Sequence, residues 1–170
     1  MLPIKGYENV YSIDEKGNVF SHRKNRFINT YWQISSSGKK YKRVSLCKNG
    51  TQKNYGVHRL IAEHYIPNDA NYKIIDHIDR NPENNNISNL RWCSYSQNRV
   101  NRSKVKNKTS KYIGVSFDKK AKKKQWVAYI ELNNKAYNLG RFLTEKEAAT
   151  AYNEKARELH KEFANINVIE

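Results

Sequence analysis

Apolar and polar residues alternate in short runs over the first fifty positions. Val10-Tyr11-Ser12-Ile13 and Lys42-Arg43-Val44-Ser45-Leu46-Cys47 both carry the period of two expected of half-buried strands. Lys16-Gly17-Asn18, Ser37-Gly38 and Asn49-Gly50 punctuate them with turn chemistry, which predicts a small antiparallel sheet. The period then lengthens. His58 to Tyr65 reads as a short helix closed by Pro67, and an Asn/Asp-rich stretch follows from Asp76 to Asn101. Within that stretch a strand ending at Asp76-His77, a polar loop and a returning Leu90-Arg91-Trp92-Cys93 predict a β-β-α unit. Ser94 and Gln97 have the spacing of a capping box opening its helix, with Asn98 on the first turn, where it can face the Asp-His strand.

From Asn101 to Ser110 the chain alternates Lys, Asn, Ser and Thr around a single apolar residue, Val105, as an extended basic linker does. The pattern sharpens again from Lys111. Strands are expected over Tyr112–Phe117, Gln125–Leu132 and Lys135–Phe142, with Asn133-Asn134 as a tight hairpin. In the middle strand Trp126, Ala128, Ile130 and Leu132 share one face, leaving Val127, Tyr129 and Glu131 on the other. Thr144 and Glu147 form a capping box for a last helix, whose Ala149, Tyr152, Ala156 and Leu159 should cover the Trp126 face. The other sheet face stays open, flanked by lysines. The expected fold is α+β, in segments 1–50, 51–101, a linker at 102–110, and 111–170.

Charge narrows the partners. In 170 residues there are 32 Lys plus Arg against 16 acidic residues, a formal charge of +16. Such an excess suits a polyanion, held by phosphate contacts and counterion release. The two cysteines, Cys47 and Cys93, form no C-x-x-C pair, so neither a zinc knuckle nor a disulfide framework is indicated. They fit a reducing, intracellular compartment, cytoplasm or nucleus. No apolar run is long enough to span a membrane, and Met1 to Lys5 lacks the apolar core of a secretory signal.

The chemistry is concentrated between Asp76 and Asn98. Hydrolysis of a phosphodiester needs a base to activate water, a hard cation to stabilise developing oxyanions, and oxygen ligands for that cation. His77 can be the base, because imidazole titrates near neutrality. Asp76 and Asn98 offer a carboxylate and an amide oxygen, which suit Mg²⁺ or Mn²⁺ rather than zinc.

The run Asp76-His77, Asn84-Asn85, Asn89-Leu90-Arg91-Trp92 and Asn98 resembles the HNH nuclease motif of phage and intron-encoded homing endonucleases, in the form ending in Asn. The resemblance implies His77 as general base and Asp76 with Asn98 as a single-metal site. It implies Asn89 as the central Asn that pins the loop and orients the histidine. Val57 to His64, and the opening Ile4 to Ile13 with Gly17 to Ser21, resemble further parts of the same enzymes. Ser110 to Val115, Trp126 to Ile130, Leu139 to Phe142, Glu147 to Tyr152 and Phe163 to Asn167 resemble the Apetala/ethylene-response DNA-binding domain. That domain's three-stranded sheet lies in the major groove with its helix behind. The plant proteins read bases with arginines, and the matching positions here are Ile113, Ser116 and Glu131, so plant-type base specificity is not implied.

Together these features imply an HNH endonuclease with one Mg²⁺ or Mn²⁺ per active site, no small-molecule cofactor and no membrane. Its partner is double-stranded DNA, bound by a monomer that nicks one strand. The residues expected on DNA are Arg91, Arg99, Arg102, Lys104, Lys106, Lys111, Ser116, Lys119, Lys120, Lys122, Tyr129, Asn138 and Arg141. The run Lys119–Lys124 suits phosphate contact, a solvated hairpin or nuclear import. His58 and His64, six residues apart, are expected in packing rather than on a metal, and Asn84 to Asn86 in turn chemistry. A non-catalytic DNA-binding regulator remains the main alternative. An RNA-binding protein is a third reading, for which Tyr129 is the one obvious stacking platform.

Overall fold

The computed structural model describes residues 1–101, 109–132 and 135–170, and is mixed α and β with antiparallel sheets throughout. It divides into two compact units, Met1–Ser94 and Tyr95–Glu170. The expected Asn133-Asn134 hairpin and the linker from 102 to 108, with Arg102, Lys104 and Lys106, lie outside the described residues.

Residues 1–56 hold two sheets where the alternation predicts one. Strands β1 (Leu2–Pro3), β2 (Tyr11–Ile13), β3 (Val19–Ser21) and β4 (Arg26–Phe27) pair in that order. Strands β5 (Tyr31–Ile34), β6 (Lys40–Lys48) and β7 (Thr51–Gly56) form the second sheet. Period-two alternation marks which residues face a core, but it does not say which strands share a ladder. The segment boundary expected at residue 50 falls inside the β6–β7 hairpin, because Asn49 (φ 52°) and Gly50 (φ 76°) both adopt the left-handed conformation of a primed turn.

Helix α1 (Val57–Tyr65) follows β7 directly and ends as the chain approaches Pro67, whose ring disfavours helix at the residue before it. Its Val57, Leu60 and Ile61 lie at helical spacing and are at most 1% exposed. They pack into one core with Ile4, Ile13, Val19, Val44 and Leu46. Each such side chain contributes about 2 kcal/mol over its exposed state. Gly17 makes the β2–β3 turn close enough to share this core, since a β-carbon there would lie 2.4 Å from Val57 Cγ1. Strands β8 (Ile74–His77) and β9 (Leu90–Cys93) form a two-stranded ribbon that contacts α1, pairing Asp76 with Arg91 and His77 with Leu90.

The second unit opens with α2 (Tyr95–Val100). Strands β10 (Val115–Phe117), β11 (Trp126–Leu132) and β12 (Lys135–Phe142) then build a sheet backed by α3 (Glu145–His160). Thr144 Oγ1 accepts from Glu147 N–H at 3.2 Å, and the Glu147 carboxylate returns to the Thr144 N–H, so the expected capping box forms. Ala149, Tyr152 and Ala156 are buried against Val115, Ala128 and Ile130, and Leu159 packs beside them. The first strand is shorter than expected. Gly114 takes a left-handed φ of 69° with Tyr152 against it, and the Ile113 backbone bonds to the Asn167 side chain instead of a strand. A ladder irregularity at Ala128/Tyr129 shifts the rest of β11 by one position. Tyr129, on the face away from the helix, is exposed.

Candidate active site

In the first unit the β8–β9 ribbon and its connecting loop bring four of the expected residues together: Asp76, His77, Asn89 and Arg91. Asp76 and His77 end β8 and are 6% and 8% exposed. A carboxylate so enclosed needs a compensating charge. Arg91, its cross-strand partner, donates Nε and Nη2 to Asp76 Oδ2 at 3.0 and 2.8 Å. Arg91 was expected on DNA; in the structure its guanidinium is held at this carboxylate.

Asn89 holds the loop. Its Oδ1 accepts from Asp79 N–H at 3.0 Å, while its Nδ2 donates to Asp79 Oδ1 and to the Asn84 carbonyl at 2.9 and 2.8 Å. Its backbone carbonyl also accepts from Ile78 N–H. Burial pushes the Asp79 carboxyl up, but donors from Asn84, Asn81 and Asn89 outweigh it and hold the group below its ordinary value. Loop residues Asn81 and Asn84 also cap neighbouring backbone N–H groups, as the Asn-rich composition predicts.

The hydrogen bond to His77 comes from a different asparagine. His77 Nε2 lies 3.0 Å from Asn85 Oδ1. An amide oxygen only accepts, so Nε2–H is the donor of this bond. Asn85 is a residue of this site that turn chemistry alone concealed. A sequence signal existed, an amide eight residues beyond the histidine in a loop that must fold back, but three consecutive asparagines do not say which one reaches the ring.

The two other histidines of this region separate in role. His64 is structural: Nδ1–H donates to the Leu60 carbonyl at 2.7 Å and Nε2 accepts from Lys5 N–H at 3.0 Å. His58 stacks obliquely on His77, with ring centroids 5.2 Å apart. Burial, reinforced by His77, Arg59 and Arg43, pushes its pKa down to about 4.

Asn98 lies on α2 in the second unit, as does Arg99, which pairs with Glu131 at 2.5 Å on the sheet face away from α3. The guanidinium neutralises a carboxylate on an otherwise basic surface. Arg141 pairs with Asp118 at 2.7 Å, Lys111 lies over the Tyr112 ring, and Asn138 Oδ1 accepts from Gly140 N–H. Lys119, Lys120 and Lys122 are exposed in the β10–β11 connection, Ser116 is half-buried on β10, and Tyr129 is 40% exposed. Among the described residues no helix is long and apolar enough to cross a membrane.

Residues 55–100 match a family model described as HNH endonuclease. An uncharacterized HNH endonuclease of Acanthamoeba polyphaga mimivirus, L245, is 40% identical over 107 residues, 63% of this chain and 31% of that protein. The DNA endonuclease I-HmuI of Bacillus phage SP01 is 37% identical over 95 residues, 56% of this chain and 52% of the phage protein. A solved structure described as DNA binding and cleavage by the HNH homing endonuclease I-HmuI covers 58% of this chain and 55% of its own, at 36% identity and a TM-score of 0.49. The chain thus spans about half, or less, of the length of these relatives. Its segment 55–100, which contains Asp76, His77, Asn89 and Asn98, is similar to the HNH endonucleases.

Proposed function

We propose that this chain is a DNA endonuclease of the HNH homing type. The observation that carries the reading is the buried His77 at the end of β8, hydrogen-bonded to Asn85 of the loop and next in the chain to the buried Asp76. His77 takes the proton from the attacking water, Asn85 helps to orient its ring, and Asn89 holds the loop that carries Asn85. Asp76 and Asn98 would hold one Mg²⁺ or Mn²⁺. The donor set fits: both groups offer hard oxygen, and the enclosed Asp76 carboxylate already draws a cationic partner in Arg91. The metal, when bound, stabilises charge on the phosphate oxygens.

The same reading assigns residues 1–50 to a β module associated with the nuclease, 51–101 to its core, 102–110 to a basic linker and 111–170 to an Apetala/ethylene-response-type domain. The sheet of that domain would lie in the major groove of double-stranded DNA, with Ser116, Tyr129, Asn138 and Arg141 toward it and Lys111, Lys119, Lys120 and Lys122 on phosphates. Arg91 and Arg99 would also contact the DNA. One active site per chain predicts that a monomer nicks one strand.

The test is supercoiled plasmid carrying the protein's own flanking DNA, incubated with Mg²⁺, with EDTA, and with the His77→Ala variant. Relaxed circles that need metal and disappear in the variant support the nuclease. Plasmid that is retarded but uncut in both Mg²⁺ and Mn²⁺ would sink it in favour of a DNA-binding regulator.

A further inference from the structure

A pocket of about 290 Å³ is lined by residues from both sheets of the first 56 positions. Tyr11 of β2 ties the sheets there: its hydroxyl donates to the Cys47 carbonyl and accepts from the Cys47 N–H, each at 3.3 Å. The charge of the pocket is one-sided. Lys24, in the β3–β4 turn, and Arg26, on β4, line it, and no Asp or Glu does. Among the described residues neither cation lies within ion-pair distance of a carboxylate. Asn29 and Gln52 add two amides whose side chains make no hydrogen bond to the described residues. Phe27 completes the lining. It is 57% exposed, yet its ring is held edge-on to Phe20, with centroids 5.4 Å apart and planes at 79°. A ring fixed by one neighbour and otherwise open is a stacking surface ordered before any ligand arrives.

Each group answers a different part of one ligand. An ammonium and a guanidinium without carboxylate partners suit a phosphate, an open aromatic ring suits a base, and free amides offer donors and acceptors to a base edge. The volume lies at the lower end of small-ligand sites, roughly 300–1,000 Å³, which suits one nucleotide and is far too small for a duplex. We propose that this pocket binds one unpaired nucleotide, its phosphate on Lys24 and Arg26 and its base against Phe27, with Asn29 and Gln52 at the base edge. A free nucleotide and a nucleotide of a single strand present the same phosphate and base. None of these residues belongs to β8, β9 or their loop, so the site stands whether or not His77 is the base.

Cys47 supplies a reporter, since its exposed thiol lines the pocket whereas Cys93 is buried. The full chain, in EDTA, is treated with N-ethylmaleimide alone and with dAMP, deoxyadenosine, inorganic phosphate, a single-stranded oligonucleotide or a blunt duplex. Peptide mass spectrometry follows alkylation of each cysteine, and equilibrium dialysis gives the affinities whatever the thiol's rate. A nucleotide in the pocket should slow Cys47 alkylation several-fold, deoxyadenosine and phosphate should do less at the same concentration, and Cys93 should stay unmodified. Phe27→Ala should weaken nucleotide binding about tenfold and leave phosphate binding unchanged. Lys24→Gln with Arg26→Gln should weaken the single strand and make its salt dependence shallower by about 0.7 in log–log slope, the share of one neutralised phosphate. All three side chains are exposed, and parent-like urea midpoints check that the variants keep the fold. Protection by dAMP assigns the site to free nucleotides, and protection by the oligonucleotide alone assigns it to a strand; either supports the proposal. It is overturned if neither protects nor binds in dialysis. It is equally overturned if phosphate protects as well as dAMP and Phe27→Ala is silent, or if the duplex protects as well as the single strand.

Discussion

Two asparagine networks tie this molecule together, one in each unit, and they differ in what they enclose. In the second unit Asn153 donates Nδ2 to the Asn167 carbonyl at 2.8 Å and accepts from the Asn167 N–H at 2.6 Å. Asn167 in turn accepts from Ile113 N–H and donates to the Ile113 carbonyl. Every bond of this clamp joins an amide to backbone, and nothing in it titrates. In the first unit the Asn89 network adds the Asp79 carboxylate to amides and backbone, and it carries the loop from which Asn85 reaches His77. Buried amides alone therefore do not mark a reactive site. A closed network is scaffold, and one that ends on an ionisable ring has chemistry to offer.

The sharpest way to break the comparison is at the ring. His77→Ala should lower plasmid nicking by about 10²- to 10⁴-fold, the usual worth of a positioned acid or base, with DNA affinity unchanged in a gel shift. Next comes Asn89→Ala, which strands Asp79 N–H and the Asn84 carbonyl. Urea denaturation should find the first unit about 2–3 kcal/mol less stable, and nicking should slow as the loop loosens. Asn167→Ala strands both backbone groups of Ile113 and should cost about 2 kcal/mol in the second unit. There the networks part: at temperatures where the variant is folded, its nicking rate on saturating DNA should equal the parent's. A loss of chemistry in Asn167→Ala comparable to that in Asn89→Ala would erase the distinction.

A smaller effect is expected at Asn85→Ala, about tenfold in rate, with little change in stability because its bond is to one side chain. The smallest is in pH. His58 has its folded pKa lowered from 6.5 to about 4, so the unfolded chain binds the extra proton first. Stability of the first unit should be full above 6.5 and decline as pH falls from there toward 4. Urea midpoints across that window should slope in the parent and flatten in His58→Phe. Asp79, held below its ordinary 3.8, loses its contribution only at lower pH and does not confuse the reading.

Much of this was legible along the chain. Gly17, Asn49-Gly50 and Pro67 punctuate elements by backbone rules that act locally. The capping box at Thr144 and Glu147 and the stripe through Ala149, Tyr152 and Ala156 follow from helical spacing alone. Asp76 and His77 stand out because a carboxylate and an imidazole at the end of a short strand, before a polar loop, are chemically conspicuous. By contrast the division of the first fifty residues into two sheets was not legible, because alternation is the same whichever ladder a strand joins. The shortened β10 was hidden for a related reason: the Ile113 backbone takes its hydrogen bonds from Asn167, 54 positions away.

At the site the division is the same. Sequence by itself determined the residue types available: one carboxylate, one imidazole, a loop rich in amides, and a basic surface suited to phosphate. Tertiary structure decided which amide meets the imidazole, that Arg91 serves Asp76, and that His58 of α1 lies against His77. Those choices depend on where a folded loop and a packed helix put their side chains. Spacing along a chain constrains neighbours within a few residues, whereas contacts between β8, its loop and α1 are set by the core that α1 shares with the sheets.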